Sequence, residues 1–108
     1  MQPFTRAVID IIRAIPRGMV TTYGSIAAAA GNQSGARQVA RILHSSSDKY
    51  DLPWHRVINY RGTISPRLSM SHIEQRRMLE DEGVRIDPDG VIDFHRYLWQ
   101  PEAPRSRS

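Results

Sequence analysis

The sequence predicts a mainly α-helical single domain of the helix-turn-helix, winged-helix-like type, with short β-hairpins. Its 108 residues, 40% of them hydrophobic, suffice for one modest core. Apolar residues recur at helical spacing in the N-terminal half, and the glycine-containing junction Gly31-Asn32-Gln33 separates two of these segments. Two further turn sequences, Arg61-Gly62 and residues 87–90, each stand between short apolar runs, which is typical of hairpins.

The first two helices are predicted from apolar spacing and from the residues that end them. Apolar side chains at helical spacing indicate an amphipathic helix that Pro16 stops: Phe4, Val8, Ile11, Ile12 and Ile15. Thr21 or Thr22 is then positioned to cap a short alanine-rich helix over residues 25–30. Gly31-Asn32 ends this helix.

The third helix is predicted to run from Ser34 to about His44, with two different faces. One stripe is apolar and is expected to point inward: Ala36, Val39, Ala40 and Leu43. The other is basic, with Ser34 and Gln38 beside it: Arg37, Arg41 and His44. A solvated charged face is the simpler interpretation, but such faces usually intersperse acidic residues and this stripe has none. The pattern therefore favours contact with DNA.

The C-terminal half is predicted to contain loops, two hairpins and one further helix. Residues 45–51 and 65–69 are expected to be loops, and residues 57–64 a small hairpin. Ser71 and Glu74 have the spacing of a capping box, which predicts a helix that runs to Glu82.

A second hairpin is expected around residues 87–90, after Gly83 has stopped the helix. The aromatic segment from Tyr97 to Trp99 is expected to pack back on the body. The domain would then span residues 1–100, and the Pro, Ser and Arg composition of residues 101–108 is typical of a flexible tail.

The charge distribution points to a polyanionic partner. Fourteen of the fifteen basic residues are arginine, whose guanidinium group binds phosphate in a bidentate way and stacks on flat rings. Residues 1–70 carry nine basic and three acidic groups, whereas residues 71–108 carry six and eight. A basic front and an acidic back suit a protein that presents one face to a nucleic acid, although an arginine-rich protein without this function would share the composition.

Several classes of function are excluded or disfavoured by what the sequence lacks. It contains no cysteine, so it has no thiol nucleophile, disulfide or thiolate metal site. The four histidines are scattered without a paired spacing, so neither a metal nor a cofactor is expected. No long apolar run or signal-peptide pattern occurs, and a cytoplasmic location is expected, associated with the nucleoid in a bacterium.

Four motifs, taken in order, resemble one protein family. They are Pro16-Arg17-Gly18-Met19-Val20-Thr21-Thr22-Tyr23-Gly24, Gly35-Ala36-Arg37-Gln38-Val39, Pro53-Trp54-His55-Arg56-Val57 and Glu82-Gly83. Together they look like the DNA-binding domain of the O6-alkylguanine-DNA alkyltransferases. Those proteins flip a damaged guanine into a pocket and move its alkyl group onto a cysteine. Trp54 stands where that cysteine is found, which resembles the alkyltransferase-like branch that keeps the pocket and lacks the nucleophile.

The resemblance implies roles for individual residues. Five residues would contact DNA, with Arg37 replacing the flipped base in the stack and Tyr23 crowding the phosphate: Tyr23, Ser34, Arg37, Gln38 and Arg41. Five would form the lesion pocket, with Arg67 packed over the base: Tyr23, Trp54, His55, Val57 and Arg67. Taken alone, Tyr23 and Trp54 would also be typical core aromatics, and Arg67 an ordinary exposed loop residue.

His55 and Glu82 match the pair that activates the cysteine in the transferases. Without a thiol, they are interpreted as a retained structural hydrogen bond, and no residue is expected to be catalytic. Two segments depart from the family pattern. Ser45-Ser46-Ser47 stands where the transferases have an asparagine-proline pair, and residues 65–69 lack their glycine-rich sequence. A roomier pocket that accepts bulkier alkyl groups is a consistent consequence.

The sequence therefore predicts a monomeric protein that binds O6-alkylguanine in duplex DNA and flips the base without chemistry. The resemblance also implies hand-over to nucleotide excision repair proteins. Two alternatives stay open at this point. A winged-helix transcriptional regulator would prefer a specific undamaged sequence, and a weak base-modifying enzyme would alter the DNA.

Overall fold

The computed structural model describes residues 1–64 and 70–101. Within them the chain forms five α-helices, one 3₁₀ turn and two short strands. In chain order these are α1 (Pro3–Ala14), β1 (Thr21–Thr22), α2 (Tyr23–Ala29), α3 (Ala36–Tyr50), the 3₁₀ turn (Trp54–Arg56), β2 (Val57–Ile58), α4 (Met70–Asp81) and α5 (Phe94–Tyr97). The prediction of a mostly helical single domain with short strands is confirmed.

Helix α1 forms as its apolar spacing predicts. Its inward stripe is buried and comprises Val8, Ile9, Ile11 and Ile12. Pro3 occupies the first turn, where its missing N–H is not needed. Ile15 leaves the helical conformation with ψ 119°, because the residue before a proline is pushed toward extended backbone. The helix therefore stops immediately before Pro16, as expected.

Helices α2 and α3 form the predicted helix-turn-helix. The Thr22 hydroxyl accepts a hydrogen bond from the Ser25 amide at 3.0 Å, so α2 begins at Tyr23, two residues earlier than predicted. After α2, Gly31 has φ 101°, a left-handed conformation that glycine adopts without strain, and the chain turns into α3.

Helix α3 is longer than predicted, and the prediction of a loop over residues 45–51 is wrong. The helix continues to Tyr50. Three consecutive serines were expected to leave the helix, but two bond within it: the Ser45 hydroxyl donates to the Ile42 carbonyl, and the Ser47 hydroxyl to the Leu43 carbonyl. This satisfies the hydroxyls without breaking the backbone pattern.

The inward stripe of α3 also needs one correction. Val39 and Leu43 are buried as predicted, but Ile42 is the third buried residue and Ala40 is exposed. Since Ile42 follows Val39 by three residues, it lies on the same side as the two others. The side chains of α3 contact both α1 and α2, so the three helices enclose one core.

The first predicted hairpin is wrong in its pairing. Val57 and Ile58 pair in parallel with Thr21 and Thr22, with Thr21 opposite Val57. The turn itself forms, since the Gly62 amide donates to the Asn59 carbonyl at 3.1 Å. Beyond it, however, the chain bridges the second hairpin instead, through Thr63 and Val91. The buried strand β2 thus pairs with β1 instead of with a hairpin partner.

Helix α4 begins at Met70, so Ser71 lies inside its first turn and the predicted capping box is wrong. The Glu74 carboxylate accepts a hydrogen bond from Arg77 at 2.5 Å. The second hairpin is confirmed by an antiparallel bridge between Ile86 and Ile92. The short helix α5 that follows it was not predicted.

Two buried clusters fill the interior. The first joins α1, α2 and α3, and the second joins the C-terminal hairpin to α4 and β2. The chain end packs back as expected: Leu98 bridges Val20, the Trp99 amide donates to the Val20 carbonyl at 2.7 Å, and Tyr97 is buried. Among the described residues, no helix has both the length and the apolar character needed to cross a membrane. The predicted tail, apart from Pro101, lies outside the described residues.

Candidate functional site

The outer face of α3 is basic and exposed. Arg37, Gln38, Arg41 and His44 all lie at the surface, as the stripe on this helix predicts. A hollow of about 480 Å³ opens beside this face, and its walls include Asn32, Ser34, Arg37, Gln38 and Arg41. The structure therefore brings four of the five predicted DNA-contacting residues to one surface.

The N-terminus of α3 opens on the same hollow. Gly35 caps the helix without a side-chain acceptor, and Val39 is the first residue whose amide donates back, to the Gly35 carbonyl at 2.9 Å. The first-turn amides and the helix dipole favour an anion at this end. With the Arg37 guanidinium on the same turn, the surface is suited to a phosphate.

A cavity of about 520 Å³ lies behind this face, between α2, α3, α4 and the 3₁₀ turn. Three predicted pocket residues line it: Tyr23, Trp54 and Val57. The remaining walls come from the second half of α3 and the start of α4: Ala40, Leu43, His44, Ser47, Asp48, Ser71, His72 and Gln75. Its walls are both apolar and polar, which suits a flat ring with hydrogen-bonding edges.

Tyr23 lies at the junction of strand β1 and helix α2. Its side chain is half-buried and packs against the core of the three N-terminal helices. Burial raises the pKa of the Tyr23 hydroxyl above its ordinary value of 10.0. The hydroxyl therefore stays protonated at neutral pH and can donate a hydrogen bond.

Trp54 is placed on the cavity wall by the 3₁₀ turn. Pro53 precedes the turn, the Trp54 amide donates to the Leu52 carbonyl at 2.8 Å, and the Arg56 amide donates to the Pro53 carbonyl at 3.0 Å. One part of the indole packs against the core, and another lines the cavity. Trp54 thus serves both as a core aromatic and as a wall residue.

His55 points away from this wall. It is buried, its Nε2 atom lies 2.6 Å from Glu82 Oε2, and its ring stands edge-on to the Trp54 ring with centroids 6.3 Å apart. The prediction of His55 as a residue lining the pocket is therefore corrected: it lies behind Trp54. The hydrogen bond to Glu82 that the sequence suggested is present.

Glu82 is the centre of a buried ionic network. Its carboxylate accepts two contacts at 2.7 and 3.0 Å from the Arg56 guanidinium and a hydrogen bond at 2.8 Å from the Gly18 amide. Burial of the carboxyl opposes ionisation, but the bonds from Arg56, Gly18 and His55 outweigh it and lower the pKa of Glu82 from 4.5 to about 2. The carboxylate is thus charged at neutral pH.

Helix α4 itself holds the Trp54 turn at a second point, through Gln75. Gln75 precedes Glu82 by seven residues, two helical turns, and lines the cavity. Its Nε2 atom donates to the carbonyls of His55 and Val57, each at 3.2 Å. Gln75 and Glu82 together fix the backbone on which Trp54 stands.

The sequence missed most of the polar wall residues, and their positions show why. Ser47 and Asp48 line the cavity because α3 continues past residue 44, where the run of serines had predicted a loop. The apolar spacing offered a signal, since Tyr50 follows Leu43 by seven residues. Arg67, predicted to pack over the base, lies outside the described residues.

A larger open depression, of about 1060 Å³, lies on the C-terminal hairpin and α5. Its lining includes Glu80, Arg85, Asp87, Asp93 and Arg96 and none of the predicted site residues. The cavity of about 520 Å³ is the candidate site, because its lining includes Trp54 and Tyr23 together with His44 of the basic helix face.

Comparison with known proteins agrees with this geometry. The family described as 6-O-methylguanine DNA methyltransferase, DNA binding domain, matches residues 3–84. The chain is similar to the DNA base-flipping protein of Escherichia coli K12, at 46% identity over 99 residues that cover 89% of this chain and 74% of that protein. It is also similar to alkyltransferase-like protein 1 of Schizosaccharomyces pombe, at 41% identity over 106 residues that cover 94% and 98%.

Solved structures show the same relation. The crystal structure of S. pombe Atl1 in complex with damaged DNA containing O6-carboxymethylguanine superposes with a TM-score of 0.81 at 40% identity, covering 94% of this chain and 98% of that one. The O6-methylguanine methyltransferase of Mycobacterium tuberculosis gives 0.60 at 26% identity, covering 82% and 53%.

Proposed function

Because the chain belongs to the family of 6-O-methylguanine DNA methyltransferase DNA-binding domains, we propose that it recognises O6-alkylguanine in duplex DNA. It would flip the damaged base into the 520 Å³ cavity and bind it there without transferring the alkyl group. The observation that carries this proposal is the position of Trp54, which lies on the wall of a cavity behind a basic helix.

Trp54 occupies the place that the reactive cysteine has in the transferases. A thiolate can attack an alkyl carbon, whereas an indole can only contact, stack or donate one hydrogen bond. The chain contains no cysteine at any position. The His55–Glu82 pair then has no thiol to activate and serves to hold the wall, in agreement with its burial behind Trp54.

Base flipping requires a group that fills the vacated stack. Arg37 is exposed on the first turn of α3, next to the hollow suited to phosphate. Its planar head can stack in the gap and hydrogen-bond the orphaned partner base. Tyr23, at the edge of the cavity, would crowd the phosphate and favour rotation of the nucleotide, while Ser34, Gln38 and Arg41 hold the backbone. Unstacking costs a few kcal/mol, less for a damaged base.

The range of accepted lesions would follow from the polar wall. Where the transferases have an asparagine-proline pair, this chain has helix α3 with Ser47 on the cavity wall. A wall of small and polar side chains leaves space for O6 substituents larger than methyl. Arg67 would close the pocket over the base through a cation–π contact.

Tight binding without turnover makes the complex a signal. We infer that the bound protein acts as a monomer and marks the lesion for nucleotide excision repair proteins. Its place of action would be the cytoplasm, at the nucleoid if the organism is a bacterium.

A competition assay tests the function directly. Two duplexes of one sequence, carrying O6-methylguanine or guanine at one position, are titrated with the wild-type protein and with Arg37→Ala, Trp54→Ala and Arg67→Ala. A fluorescent base analogue at that position reports extrusion. Arg85→Ala is the matched control, because Arg85 is an exposed arginine outside the basic face.

We expect a clear preference for the lesion duplex in the wild type. Arg37→Ala should weaken lesion binding and reduce extrusion. Trp54→Ala and Arg67→Ala should each cost about 1–3 kcal/mol on the lesion, the range for a lost base-stacking contact, and barely change binding to undamaged DNA. Equal losses on both duplexes would show that neither residue reads the base. A preference for one undamaged sequence, or altered DNA after incubation, would instead identify a regulator or an enzyme.

A further inference from the structure

Tyr60 is the most exposed aromatic side chain among the described residues, with 76% of its surface accessible. It lies at the turn after β2 and does not stand alone. The Arg61 guanidinium lies over the Tyr60 ring, 5.5 Å from its centroid, and Arg61 Nε donates to the Tyr60 hydroxyl at 3.0 Å. The pair therefore presents a positive group held in place by an aromatic ring.

The backbone under this pair is rigidly built. The Asn59 side-chain oxygen accepts hydrogen bonds from the amides of Arg61 and Thr63 at 3.0 and 3.1 Å. Gly62 has φ 71°, and a Cβ atom there would meet the Phe94 ring at 3.0 Å, so this position is suited to glycine. A turn fixed in this way loses little conformational freedom when Tyr60 and Arg61 bind a partner.

The strand topology places this turn at the edge of the candidate site. Strands β1 and β2 are parallel, with Thr22 opposite Ile58. The residues that follow parallel strands leave the sheet at the same edge, so Tyr23 and Asn59 are neighbours there. Tyr23 lines the cavity. Tyr60 and Arg61 therefore follow β2 at the edge of the sheet where Tyr23 begins α2.

The charge of this part of the chain fits a polyanion. Residues 52–73 contain arginines and histidines but no aspartate or glutamate. Within the described residues, Arg61 forms no ion pair. Exposed Tyr and Arg are also frequent in protein interfaces. A nucleic acid is the favoured partner here, because this part of the chain carries no acidic residue and the turn follows strand β2, whose Val57 lines the cavity.

We propose that Tyr60 and Arg61 form a second DNA contact, in which Arg61 binds a backbone phosphate beside the flipped nucleotide and Tyr60 holds the guanidinium in position. This contact rests on the proposed function, since it adds to the surface of α3. The damaged strand would then contact both helix α3 and the Tyr60–Arg61 turn. Because a phosphate carries no sequence or damage information, the contact would strengthen binding to any duplex.

The test compares Arg61→Ala and Tyr60→Phe with the control Arg85→Ala on the undamaged and the O6-methylguanine duplex. Arg61→Ala should weaken both by the same factor, roughly three- to tenfold, and lower the salt dependence of binding by about one unit of slope. Tyr60→Phe keeps the ring but loses the hydroxyl, so its loss should be smaller. Since both residues are exposed, melting temperatures should match the wild type.

A neutral methylphosphonate placed at successive positions around the lesion identifies the phosphate. At one position this substitution should weaken DNA binding by the wild type and leave DNA binding by Arg61→Ala unchanged. The position at which binding by Arg41→Ala is unchanged should be a different one. If Arg61→Ala kept the affinity and the salt slope of the wild type, the proposal would be overturned. The turn would then be assigned to another partner, such as a protein. If the wild type shows no lesion preference but Arg61→Ala still weakens undamaged binding, the lesion function fails and the contact stands.

Discussion

At the scale of single residues, Trp54 is the centre of the candidate site. The indole lies on the wall of the cavity, and next to it in the chain His55 is bonded to Glu82, with Arg56 beside them. Glu82 bonds both His55 and Arg56, while the buried His55 Nδ1 atom has no hydrogen-bond partner among the described residues. These groups anchor the turn that carries Trp54.

Replacing Trp54 with cysteine should not create an efficient alkyltransferase. Transfer needs a thiolate of lowered pKa within reach of the alkyl carbon. In this chain the His55 ring, which would have to deprotonate the thiol, is buried behind Trp54 and is not among the residues that line the cavity. A base in a cavity of about 520 Å³ would also be loosely held once the indole is removed. We expect no stoichiometric methyl transfer when Trp54→Cys is incubated with O6-methylguanine duplex and analysed by intact-protein mass spectrometry.

Trp54→Ser is the matched control for this experiment, because it has the same size without the thiol. It corrects for alkylation at other positions, and both variants should keep the circular dichroism of the wild type. Rapid, complete methylation confined to Trp54→Cys would show that the site has kept its catalytic geometry.

The sequence suggested the pocket residues through motifs, whereas Arg37 and Arg41 were suggested by helical spacing as well. Tyr23, Trp54 and Val57 do line one cavity, and Arg37, Gln38 and Arg41 do share one surface. Gln75 could not be found in this way. Nothing in its neighbourhood distinguishes it from a solvent-facing helix residue, and its role depends on two backbone carbonyls that only the folded chain brings near it.

At the scale of elements, α4 holds the site together. Glu82, the residue directly after its end, contacts two separate segments: the amide of Gly18 before β1, and His55 and Arg56 in the 3₁₀ turn. The Arg56 guanidinium continues to the Ile15 carbonyl at 2.9 Å, at the end of α1. One carboxylate thus ties the N-terminal helices to the wall that carries Trp54.

This network should make stability depend on pH in acid. The folded pKa of Glu82 is about 2, below its ordinary 4.5. A lowered folded pKa means that the unfolded chain binds the proton first, so the contribution is fully present above pH 4.5 and is lost as the pH falls toward 2. Chemical denaturation of the wild type and Glu82→Gln from neutral to acid pH measures it.

Glu82→Gln should be less stable at neutral pH by roughly 3 kcal/mol, the lower end of the range for removing one partner of a buried ion pair, because Arg56 keeps some exposure. Its stability should vary less than that of the wild type between pH 4.5 and 2. Glu80→Gln serves as the control, since that carboxylate is exposed. Parallel pH profiles for the wild type and Glu82→Gln would contradict the assignment of this acid sensitivity to Glu82.

The elements themselves were predictable where local signals decide them. Pro16 ends α1, Thr22 caps α2, and the apolar spacing gives both helices. The failures came where long-range pairing decides. The sequence pattern predicts that Val57 and Ile58 form one strand of a hairpin. In the structure they are buried and pair with a segment 36 residues away in sequence. A local pattern cannot distinguish these two outcomes.

At the scale of the whole molecule, charge is divided between two regions. The exposed arginines Arg37, Arg41 and Arg61 lie on α3 and on the turn after β2. Acidic side chains are concentrated on α4 and the C-terminal hairpin, among them Glu80, Asp81, Asp87 and Asp89. Such a distribution orients the molecule as it approaches DNA, because the acidic region is repelled while the basic region is attracted.

This division predicts that salt acts on affinity but not on selectivity. Arginine–phosphate contacts are common to damaged and undamaged DNA, and their strength falls with salt because bound counterions are released. We expect selection of the lesion to depend on contacts of Trp54 and Tyr23 with the base inside the cavity, on which screening has little effect. Titration of both duplexes from about 50 to 200 mM salt should therefore lower both affinities by similar factors. The ratio between them should stay constant.

Arg41→Ala provides the internal comparison for the salt series. Removing one exposed arginine from the basic face should reduce the slope for both duplexes by about one unit and leave the ratio unchanged. A lesion preference that disappears between low and moderate salt would mean that discrimination is itself electrostatic. Recognition would then lie on the basic surface, and the cavity behind Trp54 would lose its role as the reader of the base.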